Sequence, residues 1–348
     1  MDKVKNIALV SSYVPFIDGG AMNIVNWLAK KLESNGFNVE IVWIPEDHSS
    51  DKILSQIKLY EFLDLSDADL VITFRPMSHL VKHRNKIIWF IHHIRSFYDL
   101  WDTESHSGFR TRENQKIRET IMSVDTVALN TSNRIFTNSL EVQSRLSKFN
   151  GVRSEVLYPP LLDPEVYKFE SQNNEILCIG RIESHKRPDL FIKSLALTKT
   201  EVKLRFLGKA SDLDFAKTLN DLISDLNLSD RVSFENRWVS EQEKVEKLSH
   251  CLALIYAPIL EDSYGYPSLE ASNSFKPIIT TTDSGGVLEL VIHDFNGWVV
   301  EPSEFAIAKV FDEAFTNPII TKQKGMNAKQ RLGDLNISWD HVIEKLLS

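Results

Sequence analysis

Short apolar runs alternate along the whole chain with longer segments in which apolar residues recur every three or four positions. The runs are typical of strands buried on both faces of a parallel sheet, and the longer segments are typical of helices with one apolar face. This alternation predicts an α/β fold in which helices cover parallel sheets. The predicted strands are residues 5–13, 39–44, 69–74, 86–91, 134–137, 175–180, 202–207, 231–234, 253–257 and 277–282.

Two adjacent prolines mark the middle of the chain. The segment VLYPPLL at 156–162 contains Pro159 and Pro160, which cannot continue a helix and which stiffen an extended link. After this segment the pattern of strand, loop and helix starts afresh. A length of 348 residues is long for one domain and comfortable for two. We therefore predict two Rossmann-like domains, at 1–160 and 161–335.

The composition indicates which classes of partner the protein does not bind and in which compartment it works. The net charge of −8 argues against nucleic acid as a partner. Cys178 and Cys251 both lie in apolar, strand-like runs, so we interpret them as core residues of a protein from a reducing compartment. The sequence shows neither a secretory leader nor an apolar run of about 18 residues. We expect a cytoplasmic protein whose only membrane contact is peripheral, on the inner face.

Candidate chemistry is concentrated in the stretch 253–291. A predicted strand is followed there by a polar loop, by Gly265, and by a helix for which Pro267 suits the first position, because proline loses no needed N–H there. A second strand runs into Ser284-Gly285-Gly286 and another helix. A strand, a glycine-containing loop and a helix N-terminus form an anion site from backbone N–H groups and the helix dipole. The stretch therefore predicts phosphate binding.

Two carboxylates flank this anion site. Asp262 lies in the loop, and Glu270 lies near the first turn of the helix. Tyr264 and Tyr266 stand between them, on either side of the glycine. Carboxylates do not suit a bare phosphate, but they accept hydrogen bonds from the hydroxyl groups of a sugar or a ribose. Phosphate and polyol together indicate a nucleotide sugar.

A loop in the second half supplies two cations. Arg181 follows the predicted strand 175–180, and four residues separate it from Lys186. Both lie at the carboxyl end of a strand, where open α/β sheets bind ligands. Arginine holds a phosphate bidentately and lysine acts as a point charge. We predict that these two residues hold a diphosphate, and we interpret Arg187 as a surface residue.

The spacing of these residues resembles a known signature. An acidic residue, seven intervening positions and a glutamate, with Tyr-Gly inside and KPIITTTDSGG afterwards, resemble the donor-binding signature of the family-4 retaining glycosyltransferases of the GT-B fold, the group 1 type. Gly-Arg-x4-Lys at 180–186 is similar to that family's diphosphate loop. In the family the first carboxylate contacts the transferred sugar and the second contacts the ribose. With Tyr264-Gly265 in register, the first acid is Asp262 where the family usually has glutamate, and Glu261 lies one position early.

The resemblance implies an architecture as well as a site. It implies two Rossmann-like domains that face each other across a cleft, with residues 1–160 binding the acceptor and residues 161–335 binding the nucleotide sugar. It also implies that the amphipathic C-terminal helix, at about 336–348, crosses back to the N-terminal domain. The donor would be linked to UDP or GDP and bound as a substrate, with no cofactor. Arg237, in the loop after the strand 231–234, would approach the base.

Two features of the first half complete the predicted site. Gly19 and Gly20 follow the first strand, and in the resembling family this loop approaches the donor phosphates and the acceptor; a plain tight turn is the alternative. The strand 86–91 runs into His92-His93. The family has a histidine close to the reacting carbon of the sugar, and His92 aligns with it better than His93. A structural histidine is the alternative.

The segment 75–118 is basic in an acidic protein. It contains nine lysine and arginine residues against four aspartate and glutamate residues, a local balance of +5. This charge suits a phosphate-bearing acceptor, such as a lipid diphosphate at an anionic membrane surface, and a solvated helical face is the alternative. Asp67-x-Asp69 precedes a strand instead of following one, so we interpret these acids as turn residues and predict no metal site.

These observations favour one function. We predict a retaining, metal-independent hexosyltransferase that moves a sugar from a nucleotide sugar to a saccharide or lipid-linked acceptor in surface-polysaccharide assembly. Its catalytic residues would be His92, Arg181, Lys186 and Asp262. Cations and the helix N-terminus would cover the leaving-group charge. Two alternatives stay open: a sugar-nucleotide epimerase or a phosphorylase of the same fold, and a non-catalytic subunit that binds the nucleotide sugar, which the aspartate at 262 favours.

Overall fold

The structure, a computed structural model, describes residues 4–16, 19–47 and 49–348. The chain divides into two compact units. The first unit comprises Met1–Pro160 and Ser338–Ser348, and the second unit comprises Leu161–Ile337. Each unit contains a six-stranded parallel sheet with helices, so the predicted α/β architecture is confirmed.

The first unit has the strand order β2-β1-β3-β4-β5-β6. Its strands are β1 (Asn6–Tyr13), β2 (Asn38–Pro45), β3 (Leu70–Thr73), β4 (Lys86–Phe90), β5 (Arg134–Thr137) and β6 (Glu155–Val156). Its first four helices are α1 (Gly20–Ser34), α2 (Ile53–Glu61), α3 (Arg112–Asn130) and α4 (Leu140–Asn150). The first five strands have the flavodoxin-like order, in which the direction of winding reverses between β1 and β3.

The second unit has the strand order β12-β11-β10-β7-β8-β9. Its strands are β7 (Glu175–Ile179), β8 (Lys203–Leu207), β9 (Val232–Phe234), β10 (Ala253–Ile255), β11 (Ile278–Thr281) and β12 (Gly297–Val300). Its helices are α5 (Pro188–Ala196), α6 (Leu213–Asp225), α7 (Glu241–His250), α8 (Tyr266–Asn273), α9 (Val287–Leu290), α10 (Glu304–Thr316) and α11 (Pro318–Asp334). This is the Rossmann order, and the winding reverses between β7 and β10.

All ten predicted strands are present in the described part of the chain, and the structure adds β6 and β12. The two prolines predict a connector over 156–162, but Glu155 and Val156 pair with β5 before the prolines end the sheet. Every residue of β3, β4 and β10 is buried, as their apolar runs predicted. Cys178 and Cys251 are buried free thiols, also as predicted.

The last helix, α12 (Trp339–Leu347), belongs to the first unit. Trp339, Val342 and Leu346 are buried along one face, and the helix packs beside α1. At its end, Lys345 pairs with Glu155. None of the helices in the ranges that the structure describes is both long and apolar enough to cross a bilayer.

Candidate functional site

The winding of the second unit reverses between two adjacent parallel strands, β7 and β10, with Leu254 opposite Leu177. The loops after such strands leave the sheet in opposite directions, which opens a crevice at the carboxyl ends, where open α/β sheets bind ligands. The β7–α5 loop carries the two predicted phosphate-binding cations. The β10–α8 loop carries the predicted acid and glycine. The topology therefore brings together the motifs that the sequence separates by about 80 positions.

Tyr256, the residue after β10, joins these two loops. Lys186 Nζ lies 5.2 Å from the centroid of the buried Tyr256 ring. The Tyr256 hydroxyl donates to Glu261 Oε2 over 3.0 Å. A Cβ atom added to Gly265 would lie 2.4 Å from Cε1 of the same ring. Tyr256 therefore holds the loop lysine and the start of α8 around one ring, and no sequence signal separated it from the apolar residues of its strand.

Arg181 and Lys186 border a small pocket that Ile182, Pro188 and Ala257 also line. Arg181 is half exposed, and its Nη1 lies 3.0 Å from Glu183 Oε1. An exposed ion pair of this kind contributes about 1 kcal/mol or less, so an anionic ligand can replace Glu183 at little cost. The two cations can therefore approach one anion from two sides.

Arg187 is a partly buried structural residue, and its interpretation as a surface residue was wrong. Its side chain is 12% exposed, and Nη1 donates to Thr281 Oγ1 and Asp283 Oδ1 over 2.9 Å each. Nη2 pairs with the other oxygen of Asp283. Burial raises the pKa of Asp283, but the hydrogen bonds from Arg187 and Thr281 outweigh this effect and the pKa is lowered. This pair ties the β7–α5 loop to the loop after β11.

Glu261 and Asp262, the adjacent acids of the β10–α8 loop, have different surroundings. Glu261 accepts from Tyr256, and its carbonyl oxygen accepts from the N–H of Gly286 over 2.9 Å. A Cβ atom on Gly285 would lie 2.3 Å from that carbonyl oxygen, so the two loops approach too closely for a side chain there. Glu261 thus holds the loop in place, and half-buried Asp262 is the acid in the predicted register.

Helix α8 begins one residue earlier than the sequence predicted. Tyr266 is its first residue, Pro267 its second and Gly265 its N-cap. Gly265 has φ +70°, which side chains rarely adopt, and no side chain caps the helix. Tyr264 is buried and Tyr266 half-buried. The N–H groups of the first turn therefore have no side-chain acceptor at the cap, and such groups attract anions.

Glu270 directly follows the first turn of α8, near where it was predicted, and is only 5% exposed. Lys244 Nζ on α7 lies 2.5 Å from Glu270 Oε1. Glu270 Oε2 is buried and has no hydrogen-bond partner in the described residues. Burial raises the pKa of Glu270 to about 7, against the lowering effect of Lys244. One carboxylate oxygen is thus engaged by Lys244, and the other is a buried acceptor without a partner among the described residues.

No pattern in the sequence pointed to the roles of Lys244 and Lys276. Lys244 lies in the polar helix EQEKVEKL, where nothing distinguishes it from a solvated lysine. Lys276, the first residue of KPIITTT, is buried, and its Nζ donates to the carbonyl oxygens of Ser171 (2.6 Å) and Cys251 (2.8 Å). Burial lowers the pKa of Lys276 to about 8. Its contacts hold the segment before β7, which gives this lysine of the motif a structural role.

Arg237 was predicted to approach the base. Its Nε lies 2.7 Å from Glu235 Oε2, and its Nη2 lies 2.7 Å from Glu243 Oε1. The guanidinium is therefore engaged by two carboxylates of its own unit. The neighbouring Trp238 is 59% exposed.

The predicted residues of the first unit lie at the carboxyl ends of β1 and β4. Gly19 is the N-cap of α1 in an extended conformation, and Gly20 is the first residue of that helix. No atom lies within 4 Å of a Cβ at Gly19 in the described structure, so neither backbone angle nor crowding there requires glycine. His92 is half-buried, and its Nδ1 lies 2.7 Å from the carbonyl oxygen of His93.

His93 is a core residue. Its Nε2 lies 2.9 Å from Asn150 Oδ1, and its ring stacks on Tyr98 with a centroid distance of 4.1 Å. Burial lowers the pKa of His93 to about 4, which keeps the ring neutral. Between the two adjacent histidines, His92 is therefore the more accessible to a ligand.

The basic segment 75–118 exposes less charge than its composition indicates. Four of its cations are engaged within the unit: Arg75 by Glu46, Lys86 by three carbonyl oxygens, Arg95 by Asp99, and Arg118 by the Phe97 carbonyl and the Trp101 ring. Lys86 is buried, which lowers its pKa to about 8. The exposed cations are Lys82, Arg84, Arg110, Arg112 and Lys116.

The Asp67-x-Asp69 acids belong to a strand connection. Asp69 Oδ2 accepts from the N–H groups of Lys5 and Asn6 over 2.9 Å each, which joins the start of β3 to that of β1. These hydrogen bonds lower the pKa of Asp69. In the residues with described positions, no three His, Cys, Asp or Glu side chains are grouped as a metal site would require.

Two Rossmann-like units of this kind define the GT-B class of glycosyltransferase folds, and solved structures agree. Sucrose-phosphate synthase (tll1590) from Thermosynechococcus elongatus matches with a TM-score of 0.77 and 17% identity over 98% of this chain and 97% of that chain. Anabaena Alr3699/HepE, crystallised in complex with UDP, matches with a TM-score of 0.71 and 18% identity over 98% and 99%. The fold is therefore GT-B.

Residues 162–331 match the family model "Glycosyl transferases group 1". This match covers almost all of the second unit, including both loops of the crevice. The second unit is therefore similar to the group 1 glycosyl transferases, the type that the motif resemblance indicated.

Curated relatives are similar over parts of their length. Alpha-1,3/1,6-mannosyltransferase ALG2 of Dictyostelium discoideum is 31% identical over 39% of this chain and 33% of that protein. Its Mus musculus counterpart is 24% identical over 79% of this chain and 70% of that protein. The O-antigen chain mannosyltransferase RfbU of Salmonella typhimurium is 28% identical over 42% and 41%. The chain thus spans a third to 70% of the length of these relatives.

Proposed function

We propose that this chain is a retaining hexosyltransferase that moves a sugar from a UDP- or GDP-linked donor to a saccharide or lipid-linked acceptor in surface-polysaccharide assembly. One observation carries the proposal: Lys186 and the glycine before α8 meet on Tyr256 at the switch point of a group 1 domain. This arrangement places a cation beside a helix N-terminus, as a diphosphate requires. The names of the similar proteins, three of them mannosyltransferases and one bound to UDP, support a nucleotide sugar, and mannose is the first sugar to test.

The residues have distinct parts in this reaction. When the bond between the sugar and the diphosphate breaks, negative charge grows on the diphosphate. Arg181, Lys186 and the first-turn N–H groups of α8 would stabilise that charge, since preorganised donors of this kind supply most electrostatic catalysis. Asp262 would hold the sugar and Glu270 the ribose. With no enzyme nucleophile proposed, retention would follow from attack on the face that the leaving group vacates.

Turnover tests the proposal directly. The chain should release UDP or GDP from one of a panel of UDP- and GDP-sugars only when an acceptor is present, and the glycoside formed should keep the anomeric configuration of the donor. Donor binding without release in any pairing would favour a non-catalytic subunit, the alternative to which Asp262 points. Change of the donor sugar without an acceptor would identify an epimerase.

Lys186→Ala should weaken binding of UDP or GDP by about 1.5–3 kcal/mol, the value of a hydrogen bond to a charged group. Isothermal titration calorimetry measures this difference. Lys193→Ala is the matched control, because Lys193 lies on the following helix and pairs only at the surface with Asp189. Wild-type affinity in Lys186→Ala would remove this residue from the diphosphate site.

Transfer should survive excess EDTA. The proposal assigns the leaving-group charge to Arg181, Lys186 and the helix N-terminus, so no divalent cation is needed to neutralise it. The rate of nucleotide release, measured with and without EDTA, checks this. Loss of activity in EDTA that magnesium or manganese restores would contradict the assignment.

The exposed cations of segment 75–118 are proposed to meet an anionic acceptor or an anionic membrane. Reversing Arg110 and Arg112 to glutamate should raise the KM for a lipid-linked acceptor and leave donor affinity unchanged, since both side chains are exposed in the first unit. Reversal of Lys217 and Lys309, exposed on helices of the second unit, matches the change in net charge. Equal effects of the two pairs, or flotation with anionic liposomes that salt does not weaken, would contradict this role.

A further inference from the structure

Lys244 fixes one oxygen of Glu270 from a neighbouring helix. Its Nζ lies between Glu270 Oε1 (2.5 Å) and Glu241 Oε2 (2.8 Å), and its side chain is 16% exposed. Burial lowers the pKa of Lys244, but the two carboxylates outweigh this effect and the pKa is raised. The ammonium group therefore stays charged at neutral pH beside a buried carboxylate that has one oxygen without a partner.

Few charges act on Glu270. Helix α7 contributes Lys244, which favours the ionised carboxylate, and Glu241, which opposes it. Tyr167, from the segment before β7, donates its hydroxyl to Glu241, and Tyr266 lies on the same helix as Glu270. Burial raises the pKa of both tyrosines, so both are neutral at physiological pH. Burial and Glu241 therefore raise the pKa of Glu270, and Lys244, with a smaller effect from the Tyr167 hydroxyl, lowers it.

We propose that Lys244 is a positioning residue that favours the ionised form of Glu270, with Oε2 oriented to accept hydrogen bonds from the ribose hydroxyls of a nucleoside diphosphate. The inference rests on the proposed function, in which Glu270 accepts from those hydroxyls. Lys244 acts through Glu270 and does not itself contact the ligand. Its effect on affinity should therefore depend on pH and on the ribose hydroxyls, whereas a purely structural lysine would show neither dependence.

The first experiment measures the affinity for UDP and GDP by calorimetry between pH 6 and pH 9. Loss of the cation raises the pKa of Glu270 further, so the carboxyl group is neutral at pH 7 and accepts weakly. Lys244→Met should bind about tenfold more weakly than wild type at pH 7 and recover at the alkaline end. Lys244→Arg should rescue the affinity. Lys247→Met, one turn further along α7 where Lys247 lies 3.8 Å from Glu246, is the control.

A second variant predicts the opposite sign. Glu241→Gln removes the anion that opposes ionisation of Glu270 and leaves Lys244 with a single carboxylate. As the pH is raised, the affinity of this variant for UDP and GDP should therefore increase at a lower pH than the affinity of the wild type does. Glu270→Gln is the reference variant, because glutamine does not titrate. Any pH dependence of affinity that remains in it comes from titration of the diphosphate. A structural defect in α7 would weaken binding in Lys244→Met and in Glu241→Gln alike. Opposite effects of the two substitutions therefore distinguish an electrostatic role of Lys244 from a purely structural one.

The ligand supplies the decisive comparison. Lys244→Met should weaken binding of the 2′,3′-dideoxynucleoside diphosphate far less than binding of the ribonucleotide, because the hydroxyls that Glu270 holds are missing. Equal losses for the two ligands, or a pH profile that the substitution leaves unchanged, would overturn the inference while the proposed function stands. Failure of the wild-type chain to bind either UDP or GDP would overturn the proposed function and this inference with it.

Discussion

Replacing Glu270 with alanine should weaken binding of the donor and of the free nucleoside diphosphate to the same extent, by about 1.5–3 kcal/mol. Both ligands carry the ribose that Glu270 is proposed to hold, and its unpartnered Oε2 is the acceptor. The variant also leaves Lys244 beside Glu241 alone, so a lower stability is expected. Glu270→Gln keeps the shape of the side chain, and it should lose affinity with a smaller loss of stability. Calorimetry and thermal unfolding on the same samples separate the two effects.

Asp262 should behave differently from Glu270. Asp262→Ala should spare the affinity for UDP or GDP and lower the transfer rate, because a contact to the sugar matters most as the sugar separates from its leaving group. Asp262→Glu installs the residue that the resembling family usually has, so it should keep turnover or shift donor preference. If both alanine variants transfer sugar at the wild-type rate, the two acids are solvated and the non-catalytic alternative gains support.

Gly265→Ala should abolish measurable donor binding and lower the melting temperature. Its φ of +70° strains any side chain by about 1–3 kcal/mol. The added Cβ would also lie 2.4 Å from the buried Tyr256 ring, so either the ring or the loop must move. A shift of the ring displaces its contacts with Lys186 and Glu261, and a shift of the loop displaces the N-terminus of α8.

Gly333→Ala is the matched control for this substitution. Gly333 is the next-to-last residue of α11, and beyond its chain neighbours and its own helix backbone no described atom lies within 4 Å of its Cβ position. Alanine should therefore stabilise the helix by about 0.5–1 kcal/mol and leave donor affinity unchanged. Wild-type donor affinity in Gly265→Ala would show that neither the loop conformation nor the Tyr256 contact matters for the ligand.

The pattern of apolar runs predicted ten strands and the α/β class, and these predictions hold. They hold because a strand buried on both faces needs apolar residues throughout, so the local sequence alone carries the signal. The two-residue β6 was missed because it is too short to form a run and its pairing with β5 is a long-range interaction. The predicted start of α8, Pro267, is one residue late, because proline is accommodated at the second position of a helix as well as at the first.

The candidate site was predictable as far as residue type and loop position, through Arg181, Lys186, Asp262 and Glu270. What only the tertiary structure decided is which of the charged side chains are already engaged. Arg187 pairs with Asp283, which is distant in the sequence, and Arg237 pairs with Glu243, which is near. Lys86 and Lys276 are buried, and both donate to backbone carbonyl oxygens. The sequence shows that a residue is charged, but it shows neither which group that residue pairs with nor whether it is buried.

The sequence by itself therefore determined the fold class and the loops that carry the chemistry, because both follow from local pattern. The tertiary structure decided that Tyr256 joins those loops and that Lys244 pairs with Glu270. The contact of Tyr256 with both loops depends on the strand order, which places β7 beside β10. That order is a property of packing between segments far apart in the chain, and no local pattern encodes it.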